Sequence, residues 1–140
     1  FVYNEGYCPV HEQMQTSEIL KAKEAHPAAE VLSHPECPEK VLEISDYIGS
    51  TSGIIKYAGE SAAGEFIVCT ENGVRYELEK RYPDKKFWFT ETEPVCRDMK
   101  LITPEKILHV LRTGENEVKM EEALRKTAGR PLEKMLELAK

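Results

Sequence analysis

Residues 30–38 have the sequence EVLSHPECP. The first four of these residues predict a short buried strand, and Pro38 suits the first turn of a following helix, where the N–H group that proline lacks has no partner to lose. Between the strand and the helix lie His34, Glu36 and Cys37, whose side chains can transfer protons or bind metals. The segment therefore predicts an α/β unit that carries chemically active groups at the end of its strand.

Two further apolar segments extend this pattern on the C-terminal side. Residues 66–69 and 87–89 each predict a short strand, and residues 71–82 between them predict a helix. Strands that alternate with helices at such close spacing are typical of a parallel sheet with crossover helices. We therefore expect a three-layer α/β parallel-sheet domain over residues 12–90.

Three other helices are expected within this domain. The first covers about residues 18–25 and is capped by Thr16 or Ser17. A second begins at Pro38, and a third covers residues 53–57. The second helix carries an apolar stripe that consists of Val41, Leu42, Ile44 and Ile48.

Both ends of the chain predict additional structure. Residues 1–3 are apolar and resemble the last residues of a strand whose sheet lies upstream, so we expect residues 1–11 to end a preceding α/β domain and the chain to be a fragment. Residues 91–140 predict a loop around Cys96 followed by C-terminal helices. One of these helices starts at Thr103-Pro104, and the last has Leu132, Met135 and Leu136 on one side.

Composition limits the class of protein. The 140 residues carry a net charge of −6, which argues against nucleic acid as the main partner because phosphate binding needs clustered basic residues. No segment has the roughly 20 apolar residues of a membrane span. The sequence contains four cysteines and no signal-peptide pattern, so we expect reduced thiols in a cytoplasmic protein.

Two short segments mirror each other, because Cys8 and His11 are three positions apart and so are His34 and Cys37. Together these four side chains predict a possible zinc site of a small structural or interaction module. However, ligand pairs in such sites usually join cysteine with cysteine and histidine with histidine. A purely structural alternative also stays open for Cys37-Pro38, which can simply start a helix with proline in its first turn.

The carboxyl ends of parallel strands meet at one edge of a sheet, where ligands bind in α/β proteins. His34 and Glu36 follow the first predicted strand, Thr70 and Glu71 follow the second, and Cys96 lies beyond the third. We therefore expect these residues to face one crevice. Residues 49–53 form a loop rich in hydroxyl groups that is either a helix cap or an anion site.

Several motifs, taken in order, resemble the quinolinate synthase family, the A protein of NAD biosynthesis. They are Gly6-Tyr7-Cys8-Pro9-Val10-His11, His34-Pro35-Glu36-Cys37-Pro38, Gly49-Ser50-Thr51, Thr70-Glu71, Pro94-Val95-Cys96-Arg97-Asp98-Met99-Lys100 and Arg130-Pro131-Leu132-Glu133-Lys134-Met135. The resemblance extends over nearly the whole chain. A set of motifs that match in order is much more specific than any one of them.

The resemblance implies an enzyme that condenses iminoaspartate with dihydroxyacetone phosphate to quinolinate, with release of phosphate and water. It also implies a functional link to L-aspartate oxidase or aspartate dehydrogenase. Enzymes of this family have three similar α/β domains, and each domain contributes one cysteine to a 4Fe-4S cluster with one open iron that acts as a Lewis acid.

Individual positions take on roles through the same resemblance. Cys8 and Cys96 match the second and third cluster cysteines, which makes the loops that hold them cluster-cysteine loops. His34 and Glu36 match the acid–base residues. The substrate-facing positions are matched by His11, Ser50 and Thr51.

The chain also departs from the family pattern. The family's first cysteine has no counterpart here, so we expect the fragment to be inactive alone and to form a homo-oligomer. Cys69 stands where the family often has glycine, and Cys96 is followed by Arg97 rather than by the three-cysteine run of some members.

Overall fold

A computed structural model describes residues 6–139, in which four parallel strands form one sheet. The strands are β1 (Glu30–Ser33), β2 (Tyr47–Ile48), β3 (Glu65–Cys69) and β4 (Lys86–Trp88). Their order in the sheet is β2-β1-β3-β4, and every neighbouring pair is parallel. This confirms the expected α/β class. The expected strand at residues 1–3 lies outside the described residues.

Helices connect and flank these strands. They are α1 (Pro9–Glu12), α2 (Thr16–Ala25), α3 (Glu39–Leu42), α4 (Thr51–Glu60), α5 (Val74–Arg81), α6 (Pro104–Thr113) and α7 (Glu122–Leu138). A short 3₁₀ helix spans Met99–Leu101.

The sheet separates two apolar clusters, which form the core. One cluster joins Val31 and Ile67 of the sheet with Ile19 of α2 and Val41 of α3. On the other side, Leu32, Phe66 and Val68 pack with α4 and α5 through residues such as Ile54 and Leu78. Successive strand residues point to opposite faces, so each apolar strand contributes to both clusters. The result is the three-layer arrangement expected from the sequence.

The connections reverse direction between the two central strands. From β1 the chain moves outward to β2, then crosses back through α4 to β3 on the other side of β1 and continues outward to β4. In doubly wound sheets a crevice opens at the carboxyl ends of the strands where this reversal occurs. By this rule a ligand site is expected at the ends of β1 and β3, next to His34 and Thr70.

Several boundaries of the expected fold are wrong; among them, the second helix begins at Glu39, with Pro38 as its N-cap rather than its first residue. The second helix ends at Leu42, and Ile48 lies in strand β2 rather than on a helical stripe. The reason is that residues 46–49 pair with β1. The Asp46 amide donates a hydrogen bond to the Val31 carbonyl, and the Gly49 amide donates one to the Ser33 carbonyl. Helix α2 begins at Thr16 itself. Its N-cap is Gln15, which makes no side-chain cap bond.

The chain divides into two units, residues 1–97 and residues 98–140. The first contains the sheet. In the second, α6 starts with Thr103 as its cap and Pro104 in its first turn, as expected, and ends at Gly114, whose φ of 67° is the left-handed conformation that favours glycine at this position. No helix within residues 6–139 is long and apolar enough to cross a membrane.

Candidate functional site

Cys8 and His11 lie at the two ends of one helical turn. Cys8 is the N-cap of α1, Pro9 occupies the first helical position, and the Glu12 amide donates a hydrogen bond to the Cys8 carbonyl. The turn leaves Cys8 half-buried and places His11 inside the protein, where it is 7 % exposed. A histidine so deeply buried needs partners for both ring nitrogens, or a ligand that replaces one of them.

His34 and Glu36 occupy the tight turn that follows β1. The His34 amide donates to the Cys69 carbonyl at 3.1 Å, which extends the pairing of β1 with β3 by one residue beyond the strand. The Cys37 amide donates to the His34 carbonyl at 3.0 Å and closes the turn. The Glu36 amide donates to Nδ1 of His34 at 3.3 Å, so the turn itself orients the imidazole.

The structure brings His11, His34 and Glu36 together. The two imidazole rings stack with their centroids 4.1 Å apart and their planes inclined by 8°. Glu36 Oε2 lies 3.4 Å from His11 Nδ1 and 3.6 Å from His34 Nδ1. One carboxylate oxygen therefore lies beside both rings, so three groups that can accept or donate protons surround one point.

The surroundings of His11 favour its neutral form. Burial lowers the pKa of His11 below its ordinary value of 6.5, and the adjacent His34 lowers it further, whereas Glu36 acts in the opposite direction. At neutral pH the His11 ring is therefore uncharged, and one of its nitrogens has a lone pair available to accept a proton or bind a ligand.

Thr70 completes this group of side chains. It is 1 % exposed at the carboxyl end of β3, and its Oγ1 lies 3.0 Å from His11 Nε2. The sequence placed Thr70 at the edge of the sheet but gave no indication of a contact with His11. Such a contact depends on how α1 packs across the ends of the strands, which local spacing does not determine.

The four cysteines fall into two pairs. Cys37 and Cys69 are 5 % and 0 % exposed, the Cys37 thiol donates to the Cys69 carbonyl, and burial raises the pKa of Cys37 to about 11 and that of Cys69 to about 12. Cys8 and Cys96 are half-buried. Cys69 is thus a core thiol at the end of an apolar strand, and Cys37 packs with the same apolar cluster.

Cys96 is held at the same edge of the sheet by Glu71. Its amide donates to Glu71 Oε1 at 3.2 Å, while Glu71 Oε2 accepts from the Gly73 amide at 2.6 Å. Because Glu71 follows Thr70 directly, this bond ties the loop that carries Cys96 to the end of β3. It also explains why the helix expected from residue 71 begins only at Val74.

Ser50 and Thr51 follow β2, at the same edge of the sheet as His34. Ser50 caps α4, since its Oγ accepts from the Gly53 amide at 3.2 Å. The glycines of this loop allow close contact with Tyr47, because a Cβ atom at Gly49 would lie only 2.5 Å from the tyrosine hydroxyl. The structure shows the capping role, and both hydroxyl side chains are exposed.

The residues singled out from the sequence thus lie at one edge of the sheet, but only some of them contact one another through their side chains. Direct side-chain contacts join His11, His34, Glu36 and Thr70, and Cys8 lies close to His11 and Glu36. Ser50, Thr51 and Cys96 are positioned at this edge by their strands and loops.

Comparison with known proteins agrees with this architecture. The family model described as "NadA: Quinolinate synthetase A protein" matches residues 1–137. The chain is 44 % identical over 138 residues to the quinolinate synthase of Fusobacterium nucleatum, and 44 % identical over 135 residues to that of Caldicellulosiruptor saccharolyticus. It is 42 % identical over 134 residues to quinolinate synthase 2 of Methanosarcina acetivorans.

These matches cover 99 %, 96 % and 96 % of the chain, but 46 %, 45 % and 43 % of the respective relatives. The chain therefore spans a little under half the length of the curated relatives that it matches. The family model, by contrast, accounts for all but the last three residues. On this evidence the chain belongs to the quinolinate synthetase A family.

Proposed function

We propose that this chain forms part of a quinolinate synthase, an enzyme of NAD biosynthesis that condenses iminoaspartate with dihydroxyacetone phosphate and releases phosphate and water. The names of the relatives and the extent of the family match support this activity. In this proposal residues 1–11 end a preceding domain, residues 12–90 form an α/β domain, and residues 91–140 carry a cysteine loop and C-terminal helices. L-aspartate oxidase or aspartate dehydrogenase supplies iminoaspartate.

The observation that carries the proposal is the position of Glu36 beside two stacked imidazoles. Its Oε2 atom lies 3.4 Å and 3.6 Å from the Nδ1 atoms of His11 and His34. The condensation requires several proton transfers as carbon–nitrogen and carbon–carbon bonds form and water leaves. In our proposal Glu36 and His34 accept and return these protons, and the neutral His11 ring binds and orients the substrate.

Ser50 and Thr51 are proposed to bind an anionic group of the substrate. Both side chains are exposed, and the amide groups of the first turn of α4 lie beside them. The N-terminus of a helix attracts phosphate or carboxylate, because its free N–H groups carry partial positive charge. This role complements the capping bond of Ser50.

A 4Fe-4S cluster is the cofactor that the family implies, and the cysteines fit it in part. Cluster ligands are thiolates, a requirement that the buried Cys37 and Cys69 do not meet, because their raised pKa values keep them protonated. Cys8 and Cys96 are half-buried and therefore accessible to a cluster. In the whole protein a third cysteine outside this chain completes the set. When bound, the cluster supplies an open iron that acts as a Lewis acid.

The acid–base role of Glu36 is tested with the variant Glu36→Gln in the whole protein that contains this chain. A positioned acid or base typically contributes about 10²- to 10⁴-fold to a rate, so we expect quinolinate formation to fall by that factor while the visible absorption of the cluster is retained. Glu39→Gln is the matched control, because Glu39 is an exposed carboxylate three residues away. Near-normal turnover of Glu36→Gln would contradict the proposal.

The assignment of cluster ligands gives a separate prediction. Replacing Cys8 or Cys96 by alanine in the whole protein removes a thiolate, so each variant is expected to lose the cluster, whereas Cys37→Ser and Cys69→Ser are expected to retain it. Iron and sulfide analysis of anaerobically purified protein measures the outcome. An iron-free Cys37→Ser protein that remains folded by circular dichroism would show that the ligands are assigned incorrectly.

A further inference from the structure

Three possible metal ligands from two separate segments meet at the site. The donor atoms of Cys8, His11 and Glu36 all lie within 4.8 Å of one another. Cys8 and His11 come from the turn of α1, and Glu36 comes from the turn after β1. Thiolate, imidazole and carboxylate are the three ligand types that bind zinc in proteins. Proximity alone does not establish a site, because such groups also gather without a metal.

The state of His11 provides a second and independent observation. The residue is 7 % exposed, and its Nδ1 atom is buried without a hydrogen-bond partner among the described residues. Glu36 Oε2 is 3.4 Å away, but it makes no hydrogen bond with this nitrogen. A buried polar atom that has lost its water and gained no partner is costly, so an unsatisfied nitrogen beside a carboxylate, in a group that also contains a thiol, indicates a missing ligand.

The separation of these two atoms also fits a shared ion. A tetrahedral zinc ion binds nitrogen and oxygen at about 2.1 Å, which places two such ligands about 3.4 Å apart. His11 Nδ1 and Glu36 Oε2 are 3.4 Å apart. A direct ion pair between imidazolium and carboxylate is shorter, with N···O at about 2.8 Å. The observed distance is compatible with two ligands of one ion.

Thr70 selects the ring nitrogen that faces the cluster of ligands. Its Oγ1 lies 3.0 Å from His11 Nε2, and both residues are buried. Metal-binding histidines almost always donate their second ring N–H to an oxygen atom, which fixes the tautomer and the ring orientation. With Nε2–H donating to Thr70, Nδ1 keeps its lone pair, and Glu36 Oε2 lies 3.4 Å from it.

We propose that the cluster-free chain binds one divalent zinc-type ion through Cys8 Sγ, His11 Nδ1 and Glu36 Oε, with water in the fourth position and Thr70 orienting His11. The proposal goes beyond quinolinate formation. It also differs from the zinc set considered in the sequence, because the Cys37 thiol bonds to the Cys69 carbonyl and Glu36 takes a place among the ligands. The ion and a 4Fe-4S cluster share Cys8, so they exclude each other.

Cobalt(II) is the probe, since it occupies zinc sites and has an informative spectrum. The 140-residue chain, stripped of metal by a chelator and kept anaerobic, is titrated with Co²⁺ and then with Zn²⁺. We expect one Co²⁺ per chain, with a thiolate charge-transfer band in the near ultraviolet and the strong visible bands of a four-coordinate ion, both lost when Zn²⁺ displaces it.

The variants assign the ligands. Cys8→Ser is expected to lose the charge-transfer band, Thr70→Val to weaken binding about 10- to 100-fold, and Glu36→Gln to weaken it more. Glu39→Gln and Cys96→Ser are expected to bind as the parent chain does. Because Glu36 is exposed, its variant tests the site even if the buried Thr70 variant does not fold.

Three outcomes would overturn the proposal. They are a spectrum without a thiolate band, an affinity that Glu36→Gln leaves unchanged, and a band that disappears in Cys96→Ser, which would indicate binding between the two cysteines instead. None of these measurements involves quinolinate or the cluster. Failure here therefore leaves the proposed enzymatic function untouched, and failure of that function leaves this metal site untouched.

Discussion

Burial holds two of the four thiol groups in the protonated form, which predicts which cysteines react slowly. Burial raises the pKa of Cys37 to about 11 and of Cys69 to about 12. The thiolate is the reactive form, so at pH 8 a pKa raised from 9 to 11 leaves about 100-fold less of it. We expect iodoacetamide to alkylate Cys8 and Cys96 in the native, metal-free chain at pH 8, while Cys37 and Cys69 react far more slowly unless the chain is denatured.

Mass spectrometry of tryptic peptides measures this difference at each cysteine. Raising the pH from 8 toward 10 should accelerate alkylation of Cys37, because its thiolate fraction increases up to a pKa of about 11. A native Cys37 that is modified as fast as Cys96 at pH 8 would show that its thiol is not protected by burial.

For single residues, the sequence predicted the position in the fold better than it predicted the side-chain contacts. His34, Glu36, Thr70 and Cys96 could be assigned to one edge of the sheet, because parallel strands end there. The bond between His11 and Thr70 could not be foreseen. It joins residues 59 positions apart and depends on the packing of α1, a helix of only four residues.

Helix α4 offers a test at the scale of a single element. Ser50 caps it by accepting a hydrogen bond from the Gly53 amide at 3.2 Å. Replacing such a cap by alanine typically costs about 1 kcal/mol, so we expect Ser50→Ala to lower the free energy of unfolding by about that amount. Urea denaturation followed by circular dichroism measures the change.

Thr51→Ala is the matched control for this prediction. Thr51 is the first residue of α4 and is exposed, and alanine favours a helix at least as well as threonine does. Its unfolding free energy should stay close to that of the parent chain. An equal decrease in the free energy of unfolding in both variants would mean that the Ser50 cap does not stabilise α4.

The sheet shows which strands a local sequence pattern can predict and which it cannot. The strands at residues 30–33 and 66–69 were predictable, because short apolar runs bounded by polar turns are typical of buried strands. Strand β2 has only two residues, and its apolar Ile48 also fits the spacing of a helix. Its hydrogen bonds to β1 decide its conformation, and a partner strand is not visible in local periodicity.

The apolar faces of the C-terminal helices give a prediction at the scale of the whole molecule. Within residues 98–139, Ile107 and Leu111 of α6 are 50 % and 78 % exposed, and Leu132 and Leu136 of α7 are 60 % and 62 % exposed. Exposed apolar surface of this extent is typical of sites that bind another protein or a second copy. We therefore expect the 140-residue chain to self-associate as its concentration rises.

Multi-angle light scattering of the chain over a range of concentrations measures this association. The double variant Ile107→Glu and Leu111→Glu places charge on the exposed apolar face of α6, so its mass should stay that of a single chain. Tyr76→Glu is the control, because Tyr76 on α5 is also an exposed apolar side chain, at 66 %, but lies in the other unit. Self-association should persist in this control. If the parent chain is monomeric at every concentration, or if Tyr76→Glu is the variant that abolishes association, the apolar face of α6 is not the surface through which copies meet.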